Sequence, residues 1–268
     1  MKWLVQEFLN YNPNTIRIIN ALEKCFIEYL IVRVNEDNSL TVIDKSSKIP
    51  RDDSDKILKE FILNERVMIY GSKTFANIAK EMNLKPGSFM NDQFEFEVFR
   101  EVLGKELLNH DFFIGDLWAL KPIADKFFIR PTGNTKLFTG MAVTREDFLL
   151  WQERERVNNS PYIGQKLMIS SIQELKAEYR FFVVNQKIVT SSCYKVNGVF
   201  NTSSKPSDEL ISYTMRMIHQ FPLAKAFVID VAETKEGFRV VEYNNINSSG
   251  LYDCDEFAFV RAINEMMK

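Results

Sequence analysis

At 268 residues the chain can bury a substantial core, either as one large domain or as two to three small lobes. Its 34 basic and 36 acidic residues leave a net charge of −2, so composition gives no bulk electrostatic case for nucleic acid or an anionic membrane as partner. With 46% apolar residues, 22 of all residues being Phe, it reads as globular. Cys25, Cys193 and Cys254 are widely spaced, odd in number and form no CxxC, which speaks for a reducing compartment. The opening MKWLVQEFLN has a short apolar run broken by Gln6 and Glu7, neither a signal peptide nor a span. The expectation is a cytoplasmic protein.

Trp3–Leu9 reads as a first strand, and Asn12-Pro13-Asn14-Thr15 can start a helix through about Cys25. Glu28–Val34 and Ser39–Ile43 read as strands, Ser54–Asn64 as a helix with Ile57, Leu58, Phe61 and Ile62 on one stripe. Arg66–Tyr70, Gly71-Ser72 and Lys73–Met82 form a strand–glycine–helix unit. This alternation predicts a small α/β lobe over residues 1–90. Further on, the spacing predicts a helix over Asp92–Leu108, strands at Lys126–Arg130 and Lys136–Val143, and a helix over Glu146–Arg156. From Tyr162 the pattern turns antiparallel, with β runs at Lys166–Ile169, Tyr179–Val184 and Lys187–Tyr194, a helix over Ser207–Gln220, a hairpin, and a closing helix over Glu256–Met267. The whole reads as α+β lobes around a cleft, residues 91–268 forming the second domain.

The hairpin Phe227–Tyr243 carries the chemistry. Folded symmetrically about Glu236, it sets Asp230 opposite Glu242, with Asn244 two residues further along the same face. Two carboxylates and an amide oxygen form the hard-oxygen set that suits magnesium. A solvated hairpin is the alternative. In KFFIRPTGNTKLFTG, Arg130 ends a strand and Lys136 lies across a polar loop, so both could meet one polyphosphate; an ordinary basic surface hairpin would look the same. No Walker A motif occurs. Glu178 and Arg180 share a strand face and belong with Tyr194 and Lys195 on the returning strand; an inward arginine needs a carboxylate or phosphate, and a surface ion pair accounts for the group equally well.

The order of these pieces resembles the ATP-grasp superfamily, most closely its RimK-like and phage-associated carboxylate–amine ligase branches. A basic strand at Phe127–Pro131 comes first, then a linker strand at Gln165–Met168, then EYRFFVV, then Asp230 and Glu242-Tyr243-Asn244 with the loop Ser248-Ser249-Gly250. The resemblance implies an ATP-grasp fold preceded by a small α/β domain, and ATP and Mg2+ as cofactors. It places Arg130 where the family usually has a phosphate-binding lysine, assisted by Lys136. Gln165, Lys166, Leu167 and Met168 become the adenine hinge, with Leu167 or Met168 packing on the ring, and Arg180 becomes a phosphate or acyl-phosphate contact. Asp230, Glu242 and Asn244 become metal ligands, and Ser248, Ser249 and Gly250 the backbone cradle of a substrate carboxylate, with Tyr252 nearby. The implied activity is ADP-forming ligation of a small-molecule or peptide carboxylate to an amine. A nucleotide-binding module that keeps the fold without ligating is the other reading.

Overall fold

The computed structural model describes residues 1–7, 12–132, 137–157, 159–247 and 249–268. Chain order gives β1 (Lys2–Gln6), α1 (Pro13–Lys24), β2 (Tyr29–Val34), β3 (Leu40–Ile43), α2 (Ser54–Ile62), β4 (Val67–Tyr70), α3 (Lys73–Glu81) and β5 (Pro86–Gly87). These strands form one sheet in the order β3-β2-β1-β4-β5, parallel except where β3 runs back against β2. Trp3, Leu4 and Val5 of β1 are all fully buried, as a central parallel strand covered on both faces requires. Asn12 starts α1 by accepting the backbone N–H groups of Asn14 and Thr15, with Pro13 in the first turn.

Next come α4 (Phe96–Leu103), β6 (Phe113–Asp116), β7 (Lys126–Pro131), β8 (Met141–Thr144), α5 (Arg145–Arg154) and β9 (Lys166–Ser170), whose strands make an antiparallel sheet ordered β6-β9-β7-β8. The chain ends with β10 (Leu175–Val184), β11 (Lys187–Val196), β12 (Val199–Phe200), α6 (Asp208–Gln220), β13 (Ala226–Thr234), β14 (Gly237–Asn244) and α7 (Glu256–Met266); here the sheet order is β12-β11-β10-β13-β14.

The long strand β10 is buried on both faces. Tyr179, Phe181 and Val183 pack into one core with Phe99 of α4 and Leu210 and Met217 of α6. Phe182 and Val184 turn the other way, into a core shared with Trp3, Ile18 of α1 and Phe259 of α7. Through that second core, α1 and α7 fasten the first sheet to the last. Arg17 of α1 adds a polar clasp, donating to Glu256 and to the carbonyls of Tyr252 and Cys254.

Several boundaries move from those the sequence predicts. The helix expected over Asp92–Leu108 is only Phe96–Leu103, because Gly104 takes a left-handed φ of 54° and a single 3-10 turn follows. The strand expected from Lys136 starts at Met141, and the first strand ends at Gln6. The sequence reading has no counterpart to β6 or β12, both short and without a long alternating run. Among the described residues no helix is long and apolar enough to cross a membrane.

Phe259 is fully buried, its ring 5.1 Å from that of Phe182 and 6.4 Å from that of Trp3. Its truncation in Phe259→Ala empties the junction between the first and last sheets. The expected loss is about 3–5 kcal/mol of unfolding free energy in urea denaturation.

Candidate active site

The hairpin of β13 and β14 turns between Thr234 and Gly237, and Gly237 supplies the φ of 108° that the turn requires. That two-residue turn alone would set Asp230 against Val241. An irregularity between Asp230 and Val231 adds one residue to β14 and brings Asp230 opposite Glu242. Asn244 continues the same face, its Nδ2 donating to Glu242 Oε1 at 2.8 Å and reaching Asp230 Oδ2 at 3.4 Å. The three residues do converge, by way of a bulge rather than a symmetric turn.

Each carboxylate has its own arginine. Arg180, directly opposite Asp230 on β10, grips it with two parallel bonds, Nε to Oδ1 at 2.9 Å and Nη2 to Oδ2 at 2.7 Å. Only 8% of Arg180 and 1% of Asp230 are exposed. Arg130 arrives from β7 in the other antiparallel sheet, donates to Glu242 Oε2 at 2.7 Å, and lies over the Phe96 ring at 4.7 Å. The site therefore sits where the two antiparallel sheets meet.

The charges are strongly coupled. Burial pushes the Asp230 carboxyl above its ordinary range against the pull of Arg180, and neighbouring Glu242 adds to the rise. Burial also opposes ionisation of Glu242, but Arg130 and the Asn244 amide outweigh it and hold that carboxyl below its usual value. For Arg180, desolvation acts against the charge and Asp230 more than restores it. Glu178 accepts from the Tyr194 hydroxyl at 2.9 Å and stands 3.3 Å from Lys195 Nζ, so the Glu178, Arg180, Tyr194 and Lys195 cluster forms as the strand pattern predicts. The faces of Tyr194 and Tyr252 stack 5.0 Å apart beside the Arg180 guanidinium.

Could this site hold magnesium? Among the described residues no group of three or more His, Cys, Asp or Glu is placed to do so. A metal at the hairpin would need the Asn244 amide as its third ligand. The donor chemistry fits: two carboxylates and an amide, already within hydrogen-bond distance of one another, offer the oxygens Mg2+ prefers. Each carboxylate also accepts from one guanidinium group.

The other candidate residues fall as follows. Lys136 and Ser248 lie outside the described residues. Leu167 and Met168 are fully buried on β9, which is paired with β6 on one side and β7 on the other. Their side chains serve two different cores. Exposed Lys166 and half-buried Gln165 are the part of that stretch at the surface, though the Lys166 carbonyl already accepts from Thr132. Ser249 is buried with its hydroxyl on the Asn245 carbonyl, and the Gly250 carbonyl accepts from Arg180 Nη1 at 3.2 Å. One residue the sequence reading gave no role also reaches this loop: Asn14 Oδ1 accepts the Leu251 backbone N–H at 3.1 Å. In sequence, Asn14 shows only as part of a helix start; its partner lies 237 positions away.

Comparison with known proteins agrees with this architecture. No curated protein sequence matches the chain. Among solved structures it superposes on D-cycloserine synthetase DcsG with a TM-score of 0.66 at 10% identity, covering 100% of both chains. The D-alanine–D-alanine ligase from Helicobacter pylori gives a TM-score of 0.63 at 12% identity over 99% of this chain and 97% of that one. A RimK domain protein ATP-grasp from Sphaerobacter thermophilus gives 0.60 at 11% identity over 92% of each. At such identities the likeness concerns the fold. The family model described as "ATP-grasp domain, R2K clade family 3" matches residues 79–263, well over half of the sequence, and the chain belongs to that ATP-grasp family.

Proposed function

We propose that this chain is an ATP- and magnesium-dependent ligase that joins a carboxylate to an amine, releasing ADP and passing through an acyl phosphate. The observation that carries the reading is the convergence of Asp230, Glu242 and Asn244 with the guanidinium groups of Arg130 and Arg180 at the meeting of two sheets. Family membership and the ligase folds it resembles support it. In this reading residues 1–90 form a first lobe, residues 91–268 the ATP-grasp domain, and the setting is the cytoplasm. The substrates are small-molecule or peptide carboxylates and amines. The fold is also similar to that of ATP-grasp ligase PsnB complexed with minimal precursor, with a TM-score of 0.57 at 11% identity over 100% of this chain and 99% of that one.

Asp230, Glu242 and Asn244 would hold the metal. Bound magnesium would supply Lewis-acid stabilisation of phosphate charge. Arg130 and Arg180 are the fixed positive charges that a transferring phosphoryl group needs, positioned before it arrives. Lys136 would add to them. Gln165, Lys166, Leu167 and Met168 would border the base, and Ser248, Ser249 and Gly250 would hold the acid. A nucleotide-binding module that does not ligate is the second reading, favoured by arginine rather than the family's usual lysine at position 130.

Two measurements decide. Titration calorimetry of wild type should show magnesium-dependent ATP binding that weakens about tenfold or more in Glu242→Gln, which keeps the shape and removes one charge. Folded wild type that binds no MgATP would sink both readings. Next, ADP release is followed with a panel of carboxylic acids and hydroxylamine as acceptor. The ligase reading expects acid-dependent ADP and hydroxamate; MgATP binding with no turnover across the panel would point to the module.

A further inference from the structure

Helix α1 ends in a Schellman closure: the Phe26 N–H donates to the Glu23 carbonyl at 3.0 Å and the Ile27 N–H to the Leu22 carbonyl at 2.9 Å. The left-handed position of that motif ordinarily takes glycine. Here it holds Phe26, at φ 55° and with 97% of its surface exposed. A bulky side chain is strained in that conformation, and no burial within the chain offsets it. Phe26 stands on the edge of a groove of about 1020 Å³ between the end of α1 and α7. Cys25, Ile27 and Phe257 line it, partly buried side chains packed on the second core, so the apolar interior reaches the surface there. Glu28, Glu65 and Glu265 share its rim with Lys2, Lys24 and Arg261. No residue of the acidic hairpin lines this groove, which lies at the far end of α1 from Asn14, about 18 Å along a helix of 12 residues.

We propose that this groove is the interface of a homodimer, in which Phe26 of one copy enters the groove of the other and the same contact repeats about a two-fold axis. Three observations select a second copy of this chain as the occupant. First, the projecting ring and the groove that would receive it lie side by side on one face, and an isologous contact requires that, because each copy both gives and receives. Second, the rim carries both signs of charge, so the acids of one copy can face the bases of the other. A strip of one sign, which nucleic acid or an anionic membrane would call for, would repel its own copy. Third, the area suffices. Each phenylalanine ring can bury about 200 Å², so two rings and the walls that receive them cover about 800 Å². That is some two-thirds of the roughly 1,200 Å² at which specific interfaces begin, and the rims supply the remainder. The dimer does not depend on ligation.

Sedimentation equilibrium of the full chain from about 1 to 200 μM should show reversible conversion of monomer to dimer. Phe26→Gly removes the ring and suits the backbone at φ 55°, so it should melt no lower than wild type. Its dimer should nonetheless dissociate about thirtyfold or more readily, the loss expected of an aromatic hot spot. Alkylation by a maleimide locates the contact. Cys193 and Cys254 are buried, which leaves Cys25, in the groove itself, as the accessible thiol. Cys25 should react more slowly where wild type is dimeric, and at the monomer's rate in Phe26→Gly at the same concentration. Wild type that stays monomeric through the whole range would overturn the dimer. A dimer that Phe26→Gly leaves intact, or one in which Cys25 reacts as fast as in the monomer, would place the contact elsewhere and overturn the proposal equally.

Discussion

Two carboxylates facing each other across a hairpin are the constraint on which the centre of this molecule turns. Asp230 and Glu242 sit on adjacent strands, one of them almost wholly buried, and like charges so placed repel. The fold answers with one guanidinium each, taken from different strands: Arg180 from β10 beside the hairpin, Arg130 from β7 in the neighbouring sheet. Neutralisation by groups from two sheets makes the site a consequence of how the sheets meet, and no isolated hairpin could carry it.

Arginine suits both positions for a physical reason. At position 180 the planar fork matches the two oxygens of Asp230 and still reaches the Gly250 carbonyl. At position 130 the head lies flat over Phe96 while it donates to Glu242. A lysine could supply the charge, but neither the paired bonds nor the stacked plane.

What the sequence made legible follows from range. The strand identities of β10, β11, β13 and β14 rest on local alternation, and the Asp230–Glu242 pair was readable because a hairpin is a short-range object. Even there the route differed: a two-residue turn and a bulge at Val241 reach the register that a symmetric turn was expected to give. The counter-charges were a different matter. Arg130 and Glu242 lie 112 positions apart, and nothing in a local pattern says that they touch. The same holds for Asn14. Leu167 and Met168 were assigned from the order of motifs, and their burial on a strand between two others is a matter of sheet topology that no local pattern carries.

The second core ties the first sheet to the surroundings of the acidic hairpin. Trp3, Ile18, Phe182 and Phe259 bury apolar surface from the first sheet, α1, β10 and α7 in one cluster, and Arg17 clasps the loop that leads into α7. Apolar packing of this kind is close to rigid on the scale of a hydrogen bond. It therefore fixes the start of α1, and with it Asn14, against the loop that carries Ser249 and Gly250. A shift of α1 by even an ångström would break the 3.1 Å bond to Leu251. Through this core, residues that form no part of the acidic hairpin set the geometry at its rim.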